Sequence, residues 1–198
     1  MTRRDLICLG PLAALAGCSS APEPKAAKKP PEPVTGLHAL YGMYTHARLW
    51  AQDLQVVMLT SIAIAEVKSE RGKAAAWQAV FSSASLGQKR TYTTSVFDAS
   101  PSLREGIFAD APTAITSDTR PFLIAAAKVD TDQAWDTALK HGEEFDKKFP
   151  GQVISFILEL GRSINDPVWR VIWGDNPAGS SLVILVDASS GQYYQTLH

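Results

Sequence analysis

The hydrophobic positions of this chain fall into two successive series, each with a helical period followed by an alternating one. In the first series apolar residues recur at helical spacing from Leu37 to Leu54, and Thr35 precedes them as the predicted N-cap. Over 57–67 the period changes to two, which is typical of a strand, although a continued helix fits the same residues. Further strands are predicted at 77–81, 91–97 and 106–109.

The second series repeats this order. Asp130 is the predicted N-cap of a helix whose apolar positions run to Phe149, where Pro150-Gly151 ends it. Strands are then predicted at 153–160, 168–173 and 182–186, with a last one at Tyr193-Tyr194. A helix followed by an antiparallel meander indicates an α+β fold in which the helix covers one face of the sheet.

Short sequence matches link the two series. Residues 50–54 resemble 135–139, residues 77–81 resemble 169–173, and residues 96–100 resemble 185–189. Matches in the same order at similar offsets indicate an internal repeat. We therefore predict two tandem repeats, 36–118 and 119–198, each a helix packed on an antiparallel β-meander.

The N-terminus carries an export signal. Arg3 and Arg4 precede a short apolar run over 6–15, too short for the roughly 20 residues of a membrane-spanning helix. The run ends in Leu15-Ala16-Gly17-Cys18, which resembles the lipobox of bacterial lipoproteins. The resemblance implies that residues 1–17 are a signal peptide and that Cys18 becomes the lipidated N-terminus. General secretory and twin-arginine export both fit the paired arginines.

Residues 18–35 are predicted to tether the folded part to the membrane. Five prolines and three lysines fall between Ser19 and Thr35, and proline favours an extended chain with a reach of about 50 Å. Ser19 after the lipidated cysteine resembles lipoproteins sorted to the outer membrane, so a periplasmic location facing that membrane is expected. The only other cysteine, Cys8, leaves with the signal, so the mature protein has no disulfide.

Composition and motifs exclude several function classes. The formal net charge of −1 predicts no nucleic-acid binding. The four histidines, His38, His46, His141 and His198, show no metal-ligand spacing, so no metal and no other cofactor is predicted. Motifs of nucleophilic or nucleotide-dependent enzymes are absent from the sequence, and the protein is predicted not to be an enzyme.

One pair of carboxylates needs separate consideration. Glu66 and Glu159 hold similar places in two predicted strands and would form an acid/base pair if both faced one cleft. The competing interpretation is that each faces solvent or pairs with an arginine such as Arg71 or Arg162.

The C-terminal residues resemble PepSY-type domains, small α+β modules of secreted bacterial proteins. The resemblance lies in 169–173, a glycine-containing turn and 185–193, where Asp187 would accept turn hydrogen bonds and Gly191 would adopt positive φ. In the first repeat Asp98 has no glycine until Gly106, which predicts a longer turn. The family implies a binding or inhibitory module and brings no catalytic residues.

The aromatic residues divide into core and surface candidates. We assign four tryptophans to contacts between helix and sheet: Trp50, Trp77, Trp135 and Trp169. The candidate binding surface consists of Trp173, Tyr193, Tyr194, Arg90 and Arg170. The sequence thus favours a lipid-anchored, non-enzymatic module that binds another cell-envelope protein. A carrier of a small apolar ligand and an envelope hydrolase are the alternatives.

Overall fold

The computed structural model describes residues 32–197 except Lys68 and Pro177. The predicted signal peptide, Cys18 and most of the tether lie outside the described residues. The α+β class is confirmed, with two long helices, α1 Gly36–Ala47 and α2 Thr131–Lys148, and a short 3-10 helix Ile124–Ala126. The described strands are β1 Val34–Thr35, β2 Leu54–Ile62, β3 Lys73–Ala74, β4 Ala76–Ser83, β5 Gln88–Ser95, β6 Gly106–Ala109, β7 Thr113–Ala114, β8 Ile154–Leu160, β9 Pro167–Trp173, β10 Leu182–Asp187 and β11 Tyr193–Leu197.

Within the described residues, both halves of the chain contribute strands to one antiparallel sheet of nine strands. Its order is β11-β10-β9-β8-β2-β4-β5-β6, and β7 also pairs with β5. The halves join where β2 pairs with β8, with Met58 opposite Glu159 and Leu59 opposite Leu158. A separate two-stranded ladder joins β1 to β3. The first meander follows α1 and the second follows α2, so each helix precedes its own strands along the chain.

A continuous row of buried side chains crosses the sheet on the face that the helices cover. The row consists of Tyr92, Ala79, Leu59, Leu158, Trp169 and Val186, directly paired from β5 to β10. Each of these side chains is at most 4% exposed. Leu40 and Met43 of α1 and Ala134 and Ala138 of α2 belong to the same buried cluster. One apolar core therefore serves both halves.

The predicted first helix is too long. α1 ends at Ala47, because the next residues form a hydrogen-bonded turn in which Trp50 N donates to the Ala47 carbonyl at 2.8 Å. Leu54 is then the first residue of β2. The helical spacing of apolar residues beyond Ala47 reflects burial in the turn and strand rather than a continued helix.

The alternating pattern over 57–67 also covers more than one element. β2 ends at Ile62, and a tight turn follows in which Val67 N donates to the Ile64 carbonyl at 3.3 Å. Other boundaries agree more closely with prediction: β6 has the predicted bounds, and α2 ends at Lys148, just before Pro150-Gly151.

Residues of α2 cap the first helix. Thr35 occupies the N-cap position of α1, but its side chain makes no capping hydrogen bond. Gly36 N donates instead to Thr131 Oγ1 at 2.8 Å, and Leu37 N donates to Asp130 Oδ1 at 2.8 Å. Asp130 also accepts from Thr131 N at 2.7 Å, as its predicted capping role requires. The two helix N-termini are therefore joined by side-chain hydrogen bonds.

Two tryptophans fix the starts of the helices through the same kind of hydrogen bond. Trp77 Nε1 donates to the Val34 carbonyl at 3.1 Å, and Trp169 Nε1 donates to the Val129 carbonyl at 2.8 Å. Each acceptor lies two residues before the first residue of a helix. Both tryptophans are fully buried and lie in the second strand of their meanders, as their sequence match predicts.

The match between 50–54 and 135–139 is wrong as a structural correspondence. Trp50 follows the end of α1, whereas Trp135 lies in the second turn of α2, so the two residues hold different places relative to their helices. Both side chains are half-buried and pack against the core, as predicted for core contacts. The duplication itself stays a prediction.

Candidate functional site

The two faces of the large sheet differ in exposure. We call the face opposite the helices the open face; it is defined by two rows of directly paired residues across β5, β4, β2, β8, β9 and β10. The first row is Thr93, Gln78, Thr60, Ile157, Arg170 and Leu185, and the second is Thr91, Val80, Met58, Glu159, Val168 and Asp187. All but Leu185 and Val168 are partly exposed, and the described residues place no helix on this face.

An ion pair lies near the middle of the open face. Arg170 Nε donates to Glu159 Oε1 at 2.6 Å, and their side chains are 18% and 29% exposed. Glu159 therefore pairs with an arginine, although the partner is Arg170 rather than the predicted Arg162. Glu66 is exposed in the turn after β2 and has no place in a strand. The expected correspondence between the two carboxylates is thus wrong, because β2 ends four residues before Glu66.

A first cavity, which we call the junction pocket, lies where the two halves of the sheet meet. It has a volume of about 290 Å³. Its lining consists of Val57, Met58, Val80, Lys89, Asp118, Arg120, Glu159, Leu160 and Arg162. The chain that connects the halves helps to form it, because Arg120 Nη2 donates to the Gly161 carbonyl at 3.0 Å. This hydrogen bond ties the connection to the start of the loop between β8 and β9.

A second cavity, the edge pocket, lies nearer the β11 edge of the open face. Its volume is about 160 Å³. Its lining consists of Gly161, Arg162, Ser163, Val168, Arg170, Leu185, Tyr194, Gln195 and Leu197. Arg162 lines both pockets and is exposed. Leu185 belongs to a small buried cluster with Ile172 and Val183, so the edge pocket rests on an apolar base.

The predicted binding surface is only partly brought together. Trp173 is wrong as a surface residue: it is 1% exposed, its ring lies 5.5 Å from that of Trp135, and its Nε1 donates to Asp146 Oδ1. It lies on the helix-covered face, since it pairs with Ile154 and Leu182 in the core cluster.

The remaining four residues divide between the two faces. Tyr194 and Arg170 meet in the edge pocket on the open face. Tyr193 lies on the helix side, where its ring stacks on His141 with centroids 3.9 Å apart. Arg90 also lies on that side, at the far end of the sheet, with its guanidinium 5.5 Å from the centroid of the Tyr92 ring and Nε donating to the Asp110 carbonyl. Tyr193 and Arg90 therefore do not share a surface with the other two.

The turn after β10 has the local chemistry that the PepSY-type resemblance implies. Asp187 Oδ1 accepts from Ser189 N at 2.7 Å and from Ser190 N at 3.3 Å, and Gly191 has φ of 78°. Burial alone would raise the pKa of Asp187, but these serine hydrogen bonds outweigh it and hold the pKa below its usual value.

The corresponding turn of the first half is longer, as expected. There Asp98 Oδ1 accepts from Glu105 N at 2.8 Å, and Gly106 has φ of 117°. Asp98 therefore closes a loop seven residues away, whereas Asp187 closes a turn of two to three residues.

Sequence reasoning missed the cations of the junction pocket. Lys89 alternates with Thr91 and Thr93 along β5, so strand periodicity alone could have placed it on the face opposite Tyr92. Arg120 and Arg162 lie outside the regular strands, and only the path of the chain brings them to the pocket.

No group of three or more histidine, cysteine, aspartate or glutamate side chains within 32–197, apart from the undescribed positions, is placed to hold a metal ion. None of the helices described has the length and apolar character needed to cross a bilayer.

Comparisons with known proteins give a structural likeness but no family. No family model matches the chain, and no curated protein matches it. The chain is similar to the crystal structure of a candidate lipoprotein from Clostridium difficile 630, with a TM-score of 0.47 and 11% sequence identity. The likeness covers 78% of this chain and 88% of the other. At this TM-score it carries no argument about function.

Proposed function

We propose that this protein is a lipid-anchored, non-enzymatic module of the cell envelope that binds another envelope protein through its open face. The observation that carries the proposal is the contrast between the two faces. The row through Leu59 and Trp169 is buried beneath the helices, whereas the neighbouring row through Thr60 and Gln78 stays partly exposed at every position except Leu185.

The chemistry of the open face suits a protein partner. Its central positions mix apolar side chains, Met58, Val80 and Ile157, with neutral polar ones, Thr60 and Gln78. Protein interfaces combine apolar contact with hydrogen bonding in this way, and methionine adapts its shape to a partner. Two cavities on the same face offer places for side chains of the partner.

The N-terminus supports an envelope location. The resemblance of Leu15-Ala16-Gly17-Cys18 to a lipobox places the lipid on Cys18, and the proline-rich residues that follow would let the folded part reach a partner. Ser19 favours the outer membrane, with the folded part facing the periplasm. The turn at Asp187 and Gly191 fits the PepSY-type resemblance, whose implication is binding or inhibition.

Neither alternative function has a specific observation in its favour. An apolar-ligand carrier needs an apolar cavity of roughly 300 Å³ or more. One cavity of about 490 Å³ is lined mainly by charged residues, Glu32, Glu70, Arg71, Lys73, Asp132 and Asp136, and the apolar edge pocket has a volume of only about 160 Å³. A hydrolase based on Glu66 and Glu159 needs a shared cleft, and Glu159 is instead engaged by Arg170.

Site-specific photocrosslinking in living cells tests the proposal. A benzoylphenylalanine at position 60 or 78 of the full-length protein should give one discrete protein adduct after irradiation. The matched control is position 133, because Gln133 is exposed on α2 on the opposite side of the molecule. Absence of an adduct at both open-face positions, or an equal adduct at position 133, would refute binding through the open face.

A further inference from the structure

The two pockets of the open face form one site with an excess of positive charge. Four cationic residues, Lys89, Arg120, Arg162 and Arg170, line the pockets, against two carboxylates, Asp118 and Glu159. The whole chain, by contrast, has a net charge of −1. The linings of the two pockets therefore carry a local charge opposite in sign to that of the protein as a whole.

Two of the four cations are available to a partner. Arg170 is engaged by Glu159, and Arg120 donates to the Gly161 carbonyl. The side chains of Lys89 and Arg162, in contrast, make no hydrogen bond or ion pair with the residues that the structure describes. Glu159 is already compensated by Arg170. The other carboxylate, Asp118, stands against the three cations Lys89, Arg120 and Arg162, so the net charge of the remaining lining is positive.

The chemistry of the cations suits a carboxylate. An arginine guanidinium pairs with a carboxylate through two parallel hydrogen bonds, and a nearby lysine adds a point charge. The pocket also has an apolar side, from Met58, Val80 and Leu160, which a side chain with methylene groups would contact. A glutamate or aspartate of a partner satisfies both requirements.

The edge pocket selects a different side chain of the same partner. Its lining includes Val168, Leu185, Tyr194 and Leu197, and its volume of about 160 Å³ suits one apolar or aromatic side chain. Because Arg162 lines both pockets, the two occupants would lie side by side on one segment.

We propose that the open face binds an acidic segment of the partner protein, with a carboxylate on Arg162 and Lys89 in the junction pocket and a neighbouring apolar side chain in the edge pocket. This inference rests on the proposed function and names the chemistry of the partner. Charge complementarity carries it: a site whose four cations outnumber its two carboxylates attracts an anionic segment and repels a cationic one.

The test uses two synthetic peptides with the full chain carrying Cys18→Ala. The acidic probe is acetyl-Asp-Leu-Glu-Phe-Glu-Thr-amide, and the matched probe replaces its three acidic residues with lysine. Fluorescence anisotropy should detect binding of the acidic probe only, weakened several-fold between 50 and 300 mM salt, as expected for about one or two ion pairs.

Charge-reversal variants locate the site. Arg162→Glu should weaken binding of the acidic probe about tenfold or more, and Lys89→Glu should weaken it by a smaller factor. Arg162 is exposed and bonds to no described side chain, so the Arg162→Glu variant should have the same melting temperature as the parent chain. Arg162→Gln serves as a second, milder variant. The control is Arg104→Glu, an exposed arginine outside both pockets that should leave binding unchanged.

Each other outcome overturns the inference. Equal binding of the two probes, no binding of either, or an acidic probe indifferent to Arg162→Glu would exclude an acidic segment at this site. Vesicles of phosphatidylglycerol that bind in an Arg162-dependent way while the acidic probe does not would assign the site to an anionic lipid headgroup instead. A crosslinked partner at positions 60 and 78 together with any of these results would leave the proposed function standing.

Discussion

The close packing around the N-termini of the two helices predicts the effect of adding one methyl group at position 36. A Cβ at position 36 would lie 2.7 Å from Trp169 Cη2, 2.8 Å from Thr131 Cγ2 and 3.2 Å from Trp77 Cη2. Carbon atoms in contact normally lie about 3.5–4.0 Å apart, so two of these three contacts overlap by about 0.7 Å or more. Both tryptophans are fully buried, and each indole N–H is held by a backbone carbonyl, so neither ring can move freely.

Gly36→Ala should therefore destabilise the protein. Overpacking of this kind costs about 1–3 kcal/mol, and a loss of about 2 kcal/mol in a chain of this size lowers the melting temperature by about 4–8 °C. Calorimetry would measure the change in melting temperature, and urea denaturation would measure the change in the free energy of unfolding, with Gly36→Ala introduced into the purified Cys18→Ala chain.

The control is the same substitution six residues later. A Cβ at Gly42 meets only Ile107 Cδ1 at 3.9 Å, so Gly42→Ala should stabilise α1 by about 0.5–1 kcal/mol through helix propensity. Opposite signs for the two variants are expected. Equal or greater stability of Gly36→Ala would refute the close packing of Trp169 and Thr131 around the start of α1.

Three further predictions concern the capping bonds, a titrating carboxylate and the anchor. Thr131→Val keeps the side-chain shape but leaves the buried Gly36 N–H without its acceptor, so the free energy of unfolding should fall by about 1–3 kcal/mol in urea denaturation. Hydrogen bonds, first that from the Ser83 hydroxyl and then those from Ser85, lower the pKa of Asp53 to about 2. Because this pKa lies below the unfolded value, the stabilisation is present above about pH 4 and is lost as pH falls toward 2; Asp53→Asn should flatten that decline in acid-denaturation curves. Cys18→Ala should abolish metabolic labelling with palmitate and release the protein from the membrane fraction, whereas unchanged labelling would contradict the assigned anchor.

Local chemistry was readable from the sequence where a few neighbouring residues decide the structure. Asp130 capped its helix, the bounds of β6 followed from its short apolar run, and Asp187 with Gly191 formed the tight turn. The burial of Trp77 was also predictable, because a large apolar side chain within an alternating pattern indicates the covered face.

The spacing of apolar residues gave wrong element bounds where residues of a turn or of another element are buried in the same core. Ala51 and Leu54 continue the helical spacing of α1, yet Ala51 is buried in a turn and Leu54 in a strand. Trp173 was predicted on the binding surface together with Tyr193 and Tyr194, whereas α2 and its Trp135 cover it. A sequence shows which residues are apolar but does not show what lies over them.

The sequence by itself determined the α+β class and the order of the two long helices and the longer strands, and its N-terminal pattern predicts export and a lipobox, because these depend on local patterns of polarity, turn residues and caps. Only the tertiary structure decided that the halves share one sheet through β2 and β8. The same pairing brings Lys89, Arg120 and Arg162, from three distant parts of the chain, to one pocket. Such a site depends on long-range strand pairing and on the path of connecting loops, and neither leaves a local signature in the order of residues.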